Sequence, residues 1–466
     1  MTTVQENGVR VSNVLRRTEI GRSSKFVTKI KKSHCYVMDT NQWHEYDLGC
    51  WAPVDQKVVQ AQALGFIKDE AQRIARIDDD RDREETEAEY RRYASKAGVN
   101  NLAQLAAVEL QSNAQEFDTD DEALCAKNGW LNLKDGKLNC HDPSKRFSMS
   151  CAAGYASDRS APLWRKTVNQ VFGGNMDLVT YFQRAVGYSL LGGNSEQVLF
   201  ICHGAGANGK SLLLEAIKEV LGSYAQSLPI STLMRAKINA SGASPEIARL
   251  RGIRLALASE TEKGQRWSAN KIKTLTGSDT VATRALYQDM IEFRNKATIW
   301  VACNHKPEVD AADAAMWRRI RLIPFNRVFQ PSEQDPELAA KLSRESDGIL
   351  TWIMQGLAMY RAQGLAEPDS VVKATTHYRN EMDSVLRFVE ENAKLDPTTR
   401  ETIGEIKDRY RDWCREEGMQ PLPASSFNVA LEDRGCQQTK SGNVRYWQGI
   451  KLEDGLEREF GYAQSL

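Results

Sequence analysis

The stretch HGAGANGKS, residues 203–211, contains the spacing Gly204-x-x-x-x-Gly209-Lys210-Ser211. Glycines at these places let successive backbone N–H groups face phosphate oxygens at the start of a helix, which is the pattern of a phosphate-binding loop. Gly204, Ala205, Gly206, Ala207, Asn208 and Gly209 would form the cradle. Lys210 would reach the β- and γ-phosphates, and the Ser211 hydroxyl would ligate Mg²⁺. The flanks agree, because the apolar run at 198–202 reads as a strand and LLLEAI as the opening of a helix. ATP with Mg²⁺ is therefore the expected ligand; the plain alternative is a structural glycine turn.

Hydrolysis also needs carboxylates and a group beside the γ-phosphate. The run IRLALA leads into Ser259-Glu260-Thr261-Glu262, which sets acids at the carboxyl edge of a buried strand, where parallel α/β sheets bind ligands. One acid would join the Mg²⁺ shell and one would polarise the attacking water. Glu260 takes the catalytic place and is the candidate metal ligand beside Ser211, with Glu262 as helper; two solvated loop acids are the alternative. The run TIWVAC ends at Asn304, whose amide can orient water or sense hydrolysis, although Asn before a turn is common. The arginines of MWRRIR, Arg318, Arg319 and Arg321, would form a nucleic-acid patch or place an arginine finger at a neighbour's γ-phosphate. A finger in trans implies a ring. Lys271, Lys273 and Arg284 flank a Thr-Gly-Ser-Asp turn, so a hairpin tip there can present cations to DNA phosphates without reading sequence. A solvated loop is the bland reading of the same residues.

Such residues require a scaffold. Between 197 and 325 the runs VLFI, IRLALA, TIWVAC and RIRLIPF alternate with helical segments, the pattern of a parallel α/β sheet. Upstream, NGWLNLKDGKLNCHDP reads as a hairpin about Asp135-Gly136, and the charge run IDDDRDREETEAEYRRY as a solvated helix face. Downstream, Ile403, Ile406, Tyr410 and Trp413 mark one helical face, Pro421 and Pro423 break it, and SSFNVALEDRG followed by QQTKSGNVRYWQGIKL reads as a short helix and a Gly-turned hairpin. Helix, helix, hairpin is the order of a winged helix-turn-helix. The expected organisation is a flexible basic tail at 1–32, an α/β accessory domain at 33–160, a helical collar at 161–195, an ATPase core at 196–365 and a winged-helix domain at 370–466.

Composition excludes little but narrows the setting. Lys plus Arg and Asp plus Glu are each 62, so any nucleic-acid contact must come from local patches. No apolar run approaches the roughly 18 residues of a membrane span, and the polar opening MTTVQENGVR lacks a signal core, so a cytoplasmic protein is expected. Nine cysteines without a Cys-x-x-Cys fit a reducing compartment. His34-Cys35 and Cys140-His141, with Cys50 or Cys151, match no standard zinc spacing, and scattered thiols are expected instead.

Taken in order, HGAGANGKS, RLRGIRLALASETE, KIKTLTGSDTVATRALYQDMIEF, ATIWVACNHKP and MWRRIRLIPF resemble the superfamily 3 helicases, above all the phage and plasmid primase-helicases related to the poxvirus primase-helicase. The likeness spans 117–325, including NGWLNLKDGKL and RAVGYSLLGG. It implies an AAA+-like ATPase that assembles as a hexameric ring and translocates on single-stranded DNA during phage, plasmid or prophage replication in a bacterial host. Lys210 and Ser211 then fall in the Walker A motif, Glu260 and Glu262 in Walker B, 271–293 in the segment that supplies a pore hairpin, Asn304 at the sensor and Arg318 or Arg319 at the finger. Thr261 separates two acids that are adjacent in many viral relatives, which leaves their division of labour open. No carboxylate constellation stands out before Phe117, so primer synthesis is expected from a separate primase. The rival reading is a nucleotide-gated scaffold that assembles a complex through its wing and terminal arms, or an ATPase on DNA, in either case without unwinding.

Overall fold

The computed structural model describes residues 18–91, 93–235, 244–259, 264–284 and 290–453. At its centre five strands form one parallel sheet, ordered edge to edge Ile320–Pro324, Leu199–His203, Thr298–Cys303, Leu255–Ser259 and Ala225–Ser227. Apart from the edge strand Ala225–Ser227, their sequences are largely apolar because both faces are covered. Phe200, Leu255, Leu257 and Trp300 enter one core, while Ile201, Ala256, Ala258, Ile299 and Val301 enter the other. Stacked rings of Phe200 and Trp300, 4.5 Å apart, join two central strands. The register sets His203 beside both Cys303 and Pro324, and Ser259 beside Ala302, so the carboxyl ends of four strands finish level. That edge is where the loops with chemistry emerge.

The expected helical collar is present as Pro162–Val171 and Met176–Tyr188. The second helix crosses Ser346–Gln363 at two glycines: a Cβ on Gly187 would lie 2.1 Å from the Leu357 nitrogen, and one on Gly356 would lie 2.1 Å from the Gln183 carbonyl oxygen. Only glycine permits that approach. The hairpin read about Asp135-Gly136 also forms, pairing Gly129–Asn132 with Leu138–Asn139. Together with Ala123–Ala126 it makes a three-stranded sheet whose Leu124 and Leu131 share a core with Phe200.

That placement corrects the expected domain boundaries. The segment 33–160 is not one accessory domain. A four-stranded sheet, Cys50–Val54, Gln42–Asp47, His34–Val37 and Gln111–Ser112, packs with helices around its own core, whereas residues from Ala123 onward share the core of the central sheet. The reading of 1–32 as a flexible tail is also corrected: Glu19–Ile30 is a helix capped by the Thr18 hydroxyl, and Phe26 on it is fully buried. Residues 1–17 lie outside the described residues. Asp80–Arg91 is the charged helix expected.

After the sheet, Asp369–Met382 packs on the edge strand Ile320–Pro324 and buries Tyr378 in the central core, so the C-terminal unit begins near Asp383 rather than at 370. It consists of Ser384–Asn392, strand Ala393–Thr402, helices Ile403–Glu416 and Ala424–Glu432, and the hairpin Gln437–Ser441 with Val444–Leu452, closed over Tyr410, Trp413, Phe427 and Trp447. Among the described residues no helix is long and apolar enough to cross a membrane.

The seam between the upstream sheet and the central one is held by two cations. The buried Arg254 guanidinium donates to the carbonyls of Asp120, Asp121 and Ala123 at 3.3, 3.3 and 3.4 Å, and Lys296 donates to the Asp118 carbonyl at 2.8 Å. Replacing Arg254 with Met keeps the stem and removes the donors, so that the buried Ala123 carbonyl loses this donor while those of Asp120 and Asp121 keep only the Ala123 and Gly192 N–H groups, at a cost of about 1–3 kcal/mol. The expected outcome is a clear drop in thermal midpoint by circular dichroism; an unchanged midpoint would show that the seam is held elsewhere.

Candidate nucleotide site

The strand Leu199–His203 turns at Gly204 and re-enters regular structure as the helix Lys210–Leu221, so the loop between them lies at a helix N-terminus. Gly204 is required by its neighbours: a Cβ there would meet the Asn208 amide nitrogen and the Phe325 carbonyl oxygen, each at 2.3 Å. Gly209 has φ +79°, the left-handed region, and starts the helix. The far side of the loop is fastened by the Phe329 N–H, which donates to the Ala207 carbonyl at 2.8 Å.

Lys210 organises the site. Its ammonium donates to the Gly204 carbonyl at 2.7 Å, to Asn208 Oδ1 at 2.9 Å and to Asn304 Oδ1 at 2.9 Å. All three acceptors are neutral, and the side chain is only 5 % exposed. Burial accordingly holds its pKa below the ordinary lysine value. An ammonium in this position is satisfied in hydrogen bonds but not in charge, which suits it to receive an anion. Asn208 points the same way: it is buried, and its Nδ2 has no partner among the described residues. His203, just ahead of the loop, is kept neutral by burial and then by the nearby Lys306 and Lys210 cations, which all lower its pKa.

A cleft of about 950 Å³ opens over these groups, lined by the loop, Ser211, Leu214 and Glu215 of the following helix, and Leu257, Ser259, Ala302, Asn304 and His305 at the strand ends. The structure therefore brings Gly206, Ala207, Asn208, Gly209, Lys210, Ser211 and Asn304 to one cavity, with Gly204 and Ala205 in the same turn. Glu260 and Glu262 lie outside the described residues; Ser259, directly ahead of them, lines the cleft. Glu215 was not singled out from sequence. It stands one helical turn beyond Ser211, on the same face, and the i, i+4 spacing from a candidate metal ligand was the available signal.

The donor set fits Mg²⁺ of the kind that accompanies phosphate. Among the described residues no three His, Cys, Asp or Glu side chains converge, so no closed protein cage is offered. Mg²⁺ bound through one or two protein oxygens, substrate phosphates and water needs none. Ser211, exposed at the cleft, supplies such an oxygen.

The two candidate arginines separate. Arg319 is 6 % exposed and fully engaged, donating from Nε to Thr276 Oγ1 at 3.0 Å, and to the Ala315 carbonyl and Gln197 Oε1. It cannot also reach a neighbour and is corrected to a structural residue. Arg318 is exposed. The expected cationic turn is corrected as well. A hairpin does form, Thr280–Arg284 with Met290–Arg294, but Thr-Gly-Ser-Asp lies at its base, and the tip at 285–289 is outside the described residues. Lys271 and Lys273 stand on the preceding helix Ala269–Thr276, where Lys273 pairs with Asp313 at 2.8 Å. Arg284 closes the first hairpin strand.

Comparison with known proteins agrees with this arrangement. Residues 23–173 match the family described as D5 N terminal like, and residues 202–319 match a family of unknown function, DUF5906. The chain is 28% identical over 285 residues to the putative helicase L207/L206 of Acanthamoeba polyphaga mimivirus, covering 57% of this chain and 30% of that protein. It is 29% identical over 251 residues to the putative helicase 022R of Frog virus 3, covering 50% and 26%, and 24% identical over 331 residues to the putative primase C962R of African swine fever virus (strain Badajoz 1971 Vero-adapted), covering 65% and 34%. The chain thus spans about a third or less of the length of these relatives. The apo structure of the NrS-1 C-terminal region superposes with TM-score 0.51 at 10% identity, covering 93% of this chain and 99% of that one, a likeness of fold. With a D5-type region ahead of the glycine-rich loop and the parallel sheet, the chain resembles the viral and phage primase-helicase kind within superfamily 3.

Proposed function

We propose that this chain is an ATP-driven, Mg²⁺-dependent DNA helicase, an AAA+-like ATPase that assembles as a ring, expected to be hexameric, and moves along single-stranded DNA during viral, phage or plasmid replication in the cytoplasm of the host cell. The observation that carries the reading is the hydrogen bond between Lys210 and Asn304, which ties the phosphate loop to the end of a different strand. An incoming β,γ-phosphate would compete with Asn304 Oδ1 for the ammonium, so binding and loss of the γ-phosphate would each change what the Asn304 amide holds. Bound Mg²⁺ would draw charge from the bridging phosphate oxygens. Ser211, which lines the cleft, would hold the metal, Glu260 would share that shell and polarise water, and Glu262 would assist.

Arg318, exposed at the C-terminal cap of the short helix Ala314–Trp317, is the finger in this reading and would be directed at the cleft of the next subunit. Its helix is braced by Asp313, which pairs with Lys273. The hairpin Thr280–Arg284 with Met290–Arg294 would grip DNA at its tip, and the C-terminal unit is read as a winged helix. A separate primase is a partner in this reading.

The deciding test is steady-state ATPase activity with and without single-stranded DNA, beside unwinding of a forked duplex. The wild type should be stimulated by DNA and unwind, and Lys210→Ala should lose both. ATP turnover indifferent to DNA, with no unwinding, would instead assign the loop to timing an assembly.

The arginines give a second test. Arg318→Ala should bind ATP and assemble yet hydrolyse about 10³-fold more slowly. Arg319→Ala should lower the thermal midpoint, since Thr276 and Gln197 lose their shared donor. Normal hydrolysis by Arg318→Ala would remove the finger assignment.

A further inference from the structure

The helix Asp369–Met382 holds more than the edge strand. Tyr378, fully buried on it, donates its hydroxyl to the Pro307 carbonyl and accepts from the Trp267 indole N–H at 3.2 Å, while its ring meets that of Trp317 edge-on at 5.1 Å. Pro307 follows Asn304 beyond the strand Thr298–Cys303, Trp267 lies on the chain that leaves Leu255–Ser259, and Trp317 directly precedes Arg318. One side chain therefore touches the outgoing segments of two strands that open on the cleft, together with the residue ahead of the exposed arginine. Packing alone needs only the ring. The hydroxyl joins an acceptor on one segment to a buried donor on the other, which a phenyl group cannot do.

The same two segments are tied to each other and to the helix a second time. The Trp267 N–H donates to the Glu308 carbonyl at 3.1 Å, and the Glu308 N–H to the Gln265 carbonyl at 2.7 Å. Glu381, near the end of the helix, accepts from Lys306 Nζ at 2.6 Å, and Lys306 stands 5.7 Å from the centre of the Tyr378 ring. Beyond Glu381 the chain enters the C-terminal unit at once. Asp383 accepts from the Val385 and Leu386 N–H groups at 3.1 and 2.9 Å, capping Ser384–Asn392, and pairs with Arg434 at the end of Ala424–Glu432.

We propose that Asp369–Met382 couples the nucleotide site to the C-terminal unit, with Tyr378 and Glu381 as positioning residues that act on the Asn304 turn through Pro307 and Lys306. The identity of the ligand, ATP with Mg²⁺, rests on the proposed function. A phosphate that takes the Lys210 ammonium from Asn304 frees the turn that Tyr378 and Glu381 grip, and the helix carries the displacement to Asp383. Coupling between binding sites is reciprocal, so an occupant of the C-terminal unit changes nucleotide affinity by the same factor.

The test is hydrogen–deuterium exchange of the full chain, without nucleotide and with saturating Mg²⁺ and the slowly hydrolysed analogue ATPγS. Exchange should change at 204–211, at 303–310 and at 384–392, the last by about 3-fold or more. Tyr378→Phe keeps the ring; the change at 204–211 should persist and that at 384–392 should vanish. A side chain that only packs would lower the thermal midpoint and leave the transmitted change intact. Glu381 is part-exposed, so Glu381→Gln does not put the fold at stake. It should weaken the change at 384–392 and slow kcat for ATP about 5-fold or more, with KM and thermal midpoint unaltered. Lys306→Met/Glu381→Gln should be no slower than Lys306→Met, because Glu381 acts through Lys306. A change at 204–211 with none at 384–392 in the wild type, undiminished transmission in both single variants, or a Glu381→Gln effect confined to KM would each overturn the proposal. No change at 204–211 would end the nucleotide reading and this proposal with it.

Discussion

The structure turns on one buried ammonium. Lys210 sits at the start of a helix with three oxygens around it, contributed by the loop backbone, the loop side chain Asn208 and the neighbouring strand end at Asn304. A lysine out of water loses much of its hydration, and neutral oxygens return only part of it. The arrangement is tolerable because each acceptor is fixed by something else: Gly204 by the closeness of Phe325 and Asn208, Asn304 by the buried strand Thr298–Cys303. The large hydrophobic cores on both faces of the sheet therefore serve a small electrostatic purpose. They hold a positive charge where water would otherwise dissipate it, and where an anion restores what it lacks.

Parallel pairing does the geometric part. In a parallel sheet all strands end on the same side, so a single register fixes several loops at once. His203 beside Cys303 and Ser259 beside Ala302 mean that the glycine-rich loop, Asn304 and Ser259 share one edge without any long-range coordination of loops. A slip of one residue between Leu199–His203 and Thr298–Cys303 would move Asn304 by about 3.3 Å, beyond hydrogen-bonding reach of Lys210.

Much of this was legible in the sequence, and the failures have physical reasons. The phosphate loop, four of the five strands and the collar are marked by local signals: glycine spacing, continuous apolar runs and helical periodicity. The short strand Ala225–Ser227 has no apolar run, because it lies at the sheet edge. Ala393–Thr402 was hidden by its polar sequence, by Pro397 and by the bulge between Asp396 and Arg400. Arg318 and Arg319 look alike in one dimension; only packing against Thr276 and Gln197 buries the second. The turn after Lys273 misled because Gly277 ends a helix there and does not tip a hairpin. Glu19–Ile30 was read as a tail because its charge outweighs the three or four apolar residues on its inner face, although Phe26 and Ile30 suffice to seat it.

The seam at Asp118–Ala123 has a mechanical consequence. Arg254 and Lys296, which bind it, stand just ahead of the strands Leu255–Ser259 and Thr298–Cys303. Trp51 of the four-stranded sheet adds bonds from its N–H to the Phe147 carbonyl and from its indole to the Pro143 carbonyl. A load applied to the N-terminal unit thus enters the molecule at the roots of the two strands that end at Ser259 and Cys303, beside the cleft. Stiff strands under axial load transmit displacement along their length, so the unit is joined to the cleft through two strands of the central sheet.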